Sequence, residues 1–422
     1  MANQQIIQVF EHETLRVGRD FGKEVVFSDD HLKALARYNE QHGNKYFTLV
    51  HNGVKFRQYV GVIQCGRLVI EVLPKADRKP ASALTPEDRN KWHNVLTDML
   101  AACRWLRLDS VEAAHLRLSQ ASLLAIYVAR FLDEVNRILR QGLVKKYRPE
   151  TVNRTALKGR LEFSRHISDN VVHQERFYTT AQVYDSQHLL HQILYKALRL
   201  LPQLTLHPEL LDTVQRTLLL FPEMPDMQVN QGTFEGLIFN RKTEHYRESV
   251  ALAKLLLLNL QPALQPGSFQ VMAILFDMNA LFEEYLFHQL RRAGYTVRFQ
   301  RGTTFWETHR IRYDIFVELP GGDVVLDAKW KIVLDNRPAD ADLKQMYAYH
   351  HYFDTKRTFL VYPKVDSGQQ DRIGKFKNGE GFECGLLFIN LLGLNGKLSK
   401  NVAQDLVDIL QKNEHKQRPH MD

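Results

Sequence analysis

Short apolar runs separated by turn residues dominate the first part of the chain and predict a small β-rich domain over residues 1–85. The runs "IIQVF" (6–10) and "KYFTLV" (45–50) contain the β-branched and aromatic residues that strands favour. The segment "YVGVIQCGRLVIEVLPK" (59–75) predicts two strands joined by a turn. One helix is predicted over "SDDHLKALARYNEQHG" (28–43), between a Ser or Asp cap and a glycine.

The pattern then changes to apolar positions three and four residues apart, which predicts a mainly helical region over residues 86–265. Five segments carry this spacing: 86–106, 122–143, 185–201, 207–221 and 245–260. Between the second and third lies a basic segment, "VKKYRPETVNRTALKGRLEFSRH" (144–166). Such a run is ordinarily a solvated surface, and contact with phosphates or an acidic protein partner is the alternative. The prolines and glycine of "QPALQPGS" (261–268) predict a domain boundary.

A third pattern begins near residue 266, where predicted strands are bracketed by predicted helices. The helices are 277–294, 341–353 and 401–413, and the strands are 295–301, 311–319, 324–334, 357–363 and 385–391. Strands and helices in this order indicate a mixed sheet flanked by helices over residues 266–422. The whole chain is therefore expected to be a multidomain protein of the α+β or α/β class.

Composition and charge narrow the class of protein. The chain has 422 residues, of which 44% are hydrophobic and 25% charged, as in globular proteins with more than one core. The formal net charge of +8 favours a polyanionic partner. Three widely separated cysteines offer no disulfide framework and suit a reducing cytoplasm. We find no secretory signal pattern, and the most apolar stretch (250–260) is too short to span a bilayer, so a cytoplasmic protein is expected.

Candidate chemistry lies in "IRYDIFVELPGGDVVLDAKWK", which predicts a hairpin turning through "PGG". If the turn is centred between Pro320 and Gly321, the numbers of opposed residues add up to 641, and Asp314 lies opposite Asp327. The same register places Arg312 opposite Lys329. Alternation along each strand then predicts one nearly apolar face, including Tyr313, and a second face with both acids and the lysine.

Two opposed carboxylates have Cβ atoms roughly 5 Å apart, where like charges destabilise a sheet unless a cation is shared. Hard oxygen ligands suit Mg²⁺ or Mn²⁺, with further oxygens supplied by water and a phosphate. Lys329 points the same way as Asp327 and could reach a scissile phosphate or an attacking water. The pattern is typical of half of a metal-dependent phosphodiesterase site. A charged, solvated outer face is the alternative, and a one-residue slip in register would separate the acids.

Two predicted helices add candidate side chains. In "NALFEEYLF" (279–287), an apolar stripe leaves Glu283 or Glu284 at its edge, where a carboxylate could complete a metal shell. In "LKQMYAYHHYF" (343–353), Gln345 and Tyr349 are four residues apart and share a face. Gln345 could hold a phosphate or a water, whereas core packing is the preferred interpretation of Tyr349.

This order of motifs, an acid on a helix, D…D-x-K on a hairpin and then Q-x-x-x-Y on a helix, resembles the PD-(D/E)xK nuclease superfamily. The segments "FDMNALFEEYL", "RYDI", "DAKWK" and "QMYAY" are similar to the C-terminal domain of the McrC family, the nuclease subunits of McrBC modification-dependent restriction systems. In the first half, "YVGVIQCGRLVIEVLPK", "LKGRLEF" and "HYRESVALA" also resemble that family. One departure is Tyr313, which stands where the superfamily often has a proline.

The resemblance implies roles for the candidate residues. Asp314 and Asp327 would bind the metal, Lys329 would be the catalytic lysine, Glu283 the helix acid with Glu284 as fallback, and Gln345 the residue of the downstream helix. The implied substrate is double-stranded, methylated DNA. The implied partner is a hexameric, McrB-like AAA+ GTPase, which the N-terminal half of the chain would dock into and stimulate.

The sequence contains no G-x-x-x-x-G-K-[ST] motif, and "GLNGKLS" (393–399) lacks its first glycine, so we expect no nucleotide to bind this chain. Two other functions stay open at this point. A non-catalytic activator of an AAA+ ring with a nuclease-like fold would explain the long helical half. A nuclease acting alone, with its own DNA-recognition module, is the other.

Overall fold

The chain forms two compact units in the computed structural model, residues 1–126 with 261–422 and residues 127–260. The residues that the structure describes are 5–19, 26–75, 85–105, 122–204, 206–261, 269–333, 336–366, 368–378, 381–393 and 397–415. The sequence pattern divides the chain into three segments, whereas the structure forms two units. Most of the predicted boundary at 261–268, the segment around residue 85 (76–84) and the centre of "GLNGKLS" (394–396) lie outside the described residues.

The first segment is β-rich with one helix before residue 75, as predicted. Its elements are β1 (Gln5–Phe10), β2 (Thr14–Arg16), α1 (Asp29–Gln41), β3 (Phe47–Val50), β4 (Gly53–Phe56), β5 (Tyr59–Cys65) and β6 (Leu68–Leu73), followed by α2 (Pro86–Ala102). Ser28 is the N-cap of α1, as the sequence predicts. The β5–β6 hairpin pairs Cys65 with Leu68, and Gly66 takes a positive φ of 58° in its turn.

The middle of the chain contains the predicted helices and an additional sheet. Its elements are α3 (Leu123–Gln141), β7 (Lys146–Arg154), β8 (Arg160–Leu161), α4 (Phe163–Asp169), β9 (Phe177–Asp185), α5 (Leu189–Leu200), α6 (Pro208–Leu220), α7 (Gln231–Glu235), α8 (Arg247–Leu258) and β10 (Leu260–Gln261). Strands β7, β9 and β8 form an antiparallel sheet inside the region predicted to be mainly helical. Sequence pattern misses this sheet because β7 is partly exposed or exposed along its whole length and has no apolar period.

The last segment returns to the first unit. Its elements are β11 (Val271–Asp277), α9 (Met278–Arg292), β12 (Val297–Phe299), β13 (Gly302–Trp306), β14 (His309–Arg312), β15 (Ile315–Val317), β16 (Val324–Ala328), α10 (Asp340–Phe353), β17 (Arg357–Pro363), β18 (Arg372–Lys375), β19 (Glu383–Ile389) and α11 (Val402–His415). Strand β11 pairs antiparallel with β5 in a sheet of order β1-β6-β5-β11-β10. This pairing joins the first and last sequence segments in one compact unit.

A six-stranded mixed sheet of order β12-β15-β16-β17-β19-β18 carries the candidate hairpin. Strands β16, β17 and β19 run parallel, and the other neighbours pair antiparallel, so the predicted mixed sheet flanked by helices is confirmed. Met346 and Tyr349 of α10 lie in one buried cluster with Val325 and Leu360. Helices α9 and α11 contact each other, and they contact β16 and β19 respectively.

The predicted strand 311–319 is interrupted, which corrects two expectations. β14 ends at Arg312, whose backbone pairs with Gly302 rather than with Lys329. Tyr313 donates its backbone N–H to Arg301, and Asp314 accepts from the backbone N–H of Gln300. Because alternation is broken there, Tyr313 lies in the buried cluster with Phe316 and Val325, whereas an unbroken strand would place it on the other face. Among the helices within the described ranges, none is long and apolar enough to cross a membrane.

Candidate active site

The two hairpin acids meet where the β15–β16 ladder ends. The ladder pairs Ile315 with Leu326 and Val317 with Val324, so the register in which opposed numbers add up to 641 is confirmed. Asp314 and Asp327 are the next residues of the two chain segments beyond the last pair of this ladder. Asp314 Oδ2 accepts a hydrogen bond of 2.9 Å from the backbone N–H of Ala328, next to Asp327. The local turn sets this arrangement, because the N–H of Gly322 bonds to the Leu319 carbonyl across Pro320–Gly321.

Asp327 is completely buried, which excludes the interpretation of this face as a solvated surface. Its Oδ2 lies 2.7 Å from Lys329 Nζ, and its Oδ1 lies 3.4 Å from the hydroxyl of Tyr349. Both sides of β15 and β16 are buried, since α10 covers the side that carries the acid. A charged pair in such a position needs further hydrogen bonds to persist.

Helix α10 supplies those hydrogen bonds. Lys329 Nζ donates to Gln345 Oε1 at 3.3 Å, and Gln345 Nε2 donates to the Tyr349 hydroxyl oxygen at 2.6 Å. The Tyr349 hydroxyl donates in turn to the carbonyl of Arg312 at 2.7 Å. The prediction that Gln345 and Tyr349 share a helix face is confirmed by their direct contact. Tyr349 is a buried core residue, as expected, and also links the hairpin to the amide that holds the lysine.

Glu283 is the helix acid that faces the hairpin. Its Oε2 accepts from Gln300 Nε2 at 2.9 Å, and its charge interacts with those of Asp327 and Lys329. The Glu284 Oε1 atom instead lies 3.5 Å from Nε2 of His288 on the same helix. Helix α9 begins at Asp277, whose side chain accepts from the backbone N–H groups of its first turn. The structure therefore places Glu283, and not Glu284, with Asp314, Asp327, Lys329 and Gln345.

The electrostatics of this cluster are unbalanced, with three carboxylates around one ammonium. Burial, together with the charges of Asp327 and Glu283, raises the pKa of Asp314 to about 8. Burial is also the main cause that raises the pKa values of Asp327 and Glu283. Burial alone would lower the pKa of Lys329, but the neighbouring carboxylates outweigh it and the pKa is raised. The lysine thus stays an ammonium, while the carboxyls resist full ionisation.

The donor set of the cluster is made of hard oxygen atoms. Within the ranges that the structure describes, no three His, Cys, Asp or Glu side chains are grouped as ready-made ligands of one metal ion. Two carboxylates are, however, what Mg²⁺ commonly takes from a protein, with waters and substrate phosphates as its other ligands. A divalent cation would also relieve the repulsion that raises the pKa of Asp314. The carboxylates of Asp314 and Asp327, with Glu283 nearby, therefore fit Mg²⁺.

Sequence reasoning missed three residues that support the cluster. Gln300 holds Glu283 from a turn where its φ is +47°. Asn279 Oδ1 accepts from the backbone N–H of Trp330 at 3.2 Å, next to Lys329. Glu11 Oε1 accepts from the Trp330 indole N–H at 2.6 Å. The only signal was an isolated polar residue, inside a predicted helix (Asn279), inside a predicted strand (Gln300) or just after one (Glu11).

Comparisons with known proteins agree with this architecture. The family model described as "McrBC 5-methylcytosine restriction system component" matches residues 54–363, a range that contains Glu283, Asp314, Asp327, Lys329 and Gln345. The Escherichia coli (strain K12) protein "Type IV methyl-directed restriction enzyme EcoKMcrBC" is 22% identical over 335 residues, which cover 72% of this chain and 93% of that protein.

Two solved structures share the fold. One is a refined half-complex from a tetradecameric assembly of Thermococcus gammatolerans McrB AAA+ hexamers with bound McrC. It matches with a TM-score of 0.69 and 19% identity over 96% of this chain and 100% of that chain. The other, a cryo-EM structure of the Thermococcus gammatolerans McrBC complex, has a TM-score of 0.51 and 20% identity over 70% of this chain and 90% of that chain.

Proposed function

Because the chain belongs to the McrBC 5-methylcytosine restriction system component family, we propose that it is the nuclease subunit of such a system and hydrolyses DNA phosphodiester bonds. The observation that carries this proposal is the partly buried cluster in which Asp314 and the fully buried Asp327 lie at one end of the hairpin beside Lys329. A fold has no structural need for like charges in its interior, because their burial costs stability. Perturbed pKa values in such a cluster are typical of a catalytic site.

We assign the domain of residues 266–422 to the PD-(D/E)xK type on the order of its residues. Asp314 and Asp327 would hold Mg²⁺ or Mn²⁺, and Glu283 would supply a third nearby carboxylate. A divalent ion held by these carboxylates would lower the pKa of a bound water and neutralise charge that develops on the phosphate. The Lys329 ammonium, held by Gln345, would contact the scissile phosphate or orient the attacking water.

We further propose that an McrB-like AAA+ GTPase ring supplies nucleotide hydrolysis in trans and that the substrate is methylated double-stranded DNA. Two observations support the partner: the structural relatives contain McrC bound to McrB, and unit 127–260 exposes several large apolar side chains. The exposed residues on and around its sheet are Tyr147, Leu157, Phe163, Ile167, Val171, Val172 and Tyr184. Exposed apolar groups in such numbers are typical of protein contact surfaces.

Cleavage of methylated plasmid DNA by the full chain with its GTPase partner tests the site. We expect Asp327→Ala to abolish cleavage while stimulation of GTP hydrolysis persists, because the substituted carboxylate is remote in sequence from the apolar surface. The matched control is Asp405→Ala, which removes an exposed acid from α11 of the same unit. Removal of divalent metal by a chelator should stop cleavage, and added Mg²⁺ or Mn²⁺ should restore it. Cleavage by Asp327→Ala at the wild-type rate would show that the site assignment is wrong.

The exposed apolar surface also favours a second candidate, a non-catalytic activator of the ring. Its distinguishing result is stimulation of GTP hydrolysis by a wild-type chain that cuts no DNA under any metal condition. Lys329→Ala separates the two activities, since it should stop cutting and leave stimulation unchanged.

A further inference from the structure

A two-stranded ribbon adjoins the candidate active site and forms a sheet of its own. Strands β13 and β14 pair from Gly302 with Arg312 to Trp306 with His309. Both of its ends are tied to the catalytic cluster. Gln300, just before the ribbon, donates to Glu283, and the carbonyl of Arg312, at its end, accepts from Tyr349. The ribbon is therefore held in a defined position two residues away from Asp314.

The outer part of the ribbon exposes aromatic rings. Phe305 is 48% exposed and Trp306 is 59% exposed, and Tyr352 of α10, which is 42% exposed, lies beside them. The Trp306 ring stacks on His309 with centroids 5.1 Å apart, and Phe305 meets Tyr352 edge-on at 6.1 Å. A register shift between Thr304 and Trp306 bends the strand at Phe305. Clustered exposed rings on a supported ribbon indicate a contact surface rather than a core element.

The inner part of the ribbon is basic. Arg301, Arg310 and Arg312 are exposed, and Glu307 at the tip is the one acid between residues 301 and 312. Arg310 uses one of its guanidinium donors on the Gly302 carbonyl, at 2.9 Å. The Arg310 side chain is exposed, and the planar fork of an arginine matches the oxygen atoms of a phosphate. The charge of the ribbon is complementary to a polyanion.

We propose that residues 301–312 form a DNA-contacting arm that lies in the major groove beside the scissile phosphate, with its arginines on backbone phosphates and Phe305 and Trp306 against base edges. This inference rests on the proposed nuclease function. A major groove about 12 Å wide admits a two-stranded β-ribbon. Arg312 and Arg310 are exposed and precede Asp314 by two and four residues in the chain, so in this arrangement a duplex with a phosphate at Lys329 places neighbouring phosphates along the ribbon. Phosphate contacts of this kind fix the register of a duplex.

Binding of the full chain to a fluorescent duplex of about 30 base pairs, without divalent metal, tests the arm. We expect the double variant Arg301→Ala/Arg310→Ala to weaken binding about 10-fold or more at about 0.15 M salt and to reduce the slope of log K against log salt by up to about two, one unit per lost phosphate contact. The matched control is Arg216→Ala/Arg241→Ala, which removes two exposed arginines from the other unit. Equal affinity and slope in the wild type and the ribbon variant would overturn the inference.

The double variant Phe305→Ala/Trp306→Ala should weaken binding about 5- to 10-fold without changing the salt slope, because aromatic contacts release no counterions. Leu219→Ala/Leu220→Ala, which removes two exposed apolar side chains from α6, is the control. Dimethyl sulfate should show protection of guanine N7, in the major groove, that the aromatic variant loses. Protection of adenine N3 alone would contradict the groove assignment.

The nuclease assignment is tested separately, because Asp327→Ala should bind the duplex like the wild type and yet not cut it. A wild-type chain that cuts DNA with its partner but binds no duplex at low salt would overturn the arm and leave the nuclease assignment intact. A chain that binds DNA through the ribbon but cuts no DNA would support the arm and contradict the nuclease assignment.

Discussion

Two sheets in this molecule carry acids close to basic residues. In one sheet the charges are paired and partly exposed, and in the other the acids outnumber the base and one acid is fully buried. In the β7–β9 pair, Arg148 lies 2.8 Å from Asp185 and 2.9 Å from Glu150, and Arg154 lies 3.1 Å from Glu150. All four side chains are between 22% and 33% exposed. At the end of the β15–β16 hairpin, two carboxylates, together with Glu283 of α9, surround the Lys329 ammonium, and Asp327 has no exposed surface.

The pKa directions express this difference. The hydrogen bond from Arg148 lowers the pKa of Asp185, whereas burial raises the pKa of Asp314 to about 8. An acid and a base in a strand pattern therefore do not identify a site by themselves. The informative property is an excess of one charge in a place where water cannot solvate it. By this criterion the hairpin is a candidate for catalysis. The charged residues of the β7–β9 pair are neutralised by ion pairs at a partly exposed surface.

The largest expected effect comes from removing the single ammonium of the hairpin. Lys329→Ala should lower the cleavage rate with the GTPase partner about 10²–10³-fold, as expected when a positioned charge is removed from the developing charge of a transition state. Arg154→Ala, the corresponding change in the exposed sheet, should leave the rate essentially unchanged. Similar losses in single-turnover cleavage for both variants would show that burial does not distinguish the two sheets.

The second effect is on stability and has an unusual sign. A carboxyl whose pKa is raised in the folded state stabilises the fold fully only below its ordinary pKa, here 3.8, and this contribution is lost as the pH rises from there through about 8. The side chain introduced by Asp314→Asn cannot ionise, but its amide oxygen can still accept the hydrogen bond from the backbone N–H of Ala328. We expect the stability advantage of the variant over the wild type to be on the order of 2 kcal/mol larger near pH 9 than near pH 6.

Denaturant unfolding without metal at the two pH values measures this difference. Asp185→Asn is the control from the exposed sheet, and because the pKa of Asp185 is lowered by its arginine, its substitution should not stabilise the protein. A loss of stability in Asp314→Asn at high pH would mean that the carboxylate is favourably bound in the folded chain.

Glu11 separates the effect of burial from that of neighbouring charges, because this carboxyl is buried and accepts hydrogen bonds from neutral donors. Glu11 Oε1 accepts from the Lys75 backbone N–H at 2.8 Å and from the Trp330 indole N–H, and burial raises its pKa to about 7. Its stabilising contribution is present at low pH and lost as the pH rises from about 4.5 through 7. Glu11→Gln keeps the acceptor, and its stability advantage over the wild type should be about 1 kcal/mol larger near pH 9 than near pH 6. A parallel pH dependence in both proteins would assign the effect to other groups.

The local features of the hairpin could be predicted from sequence, whereas its surroundings could not. The Pro320–Gly321 turn fixes the register of the ladder that ends beside Asp314 and Asp327, and these residues are close along the chain. The sheet face that carries Asp327 is buried because Met346 and Tyr349 of the later helix α10 pack on it. The alternation of residues along the strand is the same for a buried and a solvated face, so the sequence could not distinguish the two. The partners Gln300–Glu283, Asn279–Trp330 and Glu11–Trp330 are separated by 17, 51 and 319 residues, and contacts of this range leave no periodicity to detect.

The smallest expected effect is that of an ion pair in the exposed sheet. Arg148 contacts Asp185 through both Nε (3.0 Å) and Nη2 (2.8 Å), which is favourable geometry, but both side chains are 31% exposed. Solvent and side-chain entropy reduce the net contribution of such pairs. Arg148→Ala should therefore lower the melting temperature slightly at low salt and not measurably at about 1 M salt, where the screening length is about 3 Å. An equal decrease at both salt concentrations would instead show that the arginine stabilises β7 and β9 by packing, so that the exposed sheet would also depend on its charged residues for its structure.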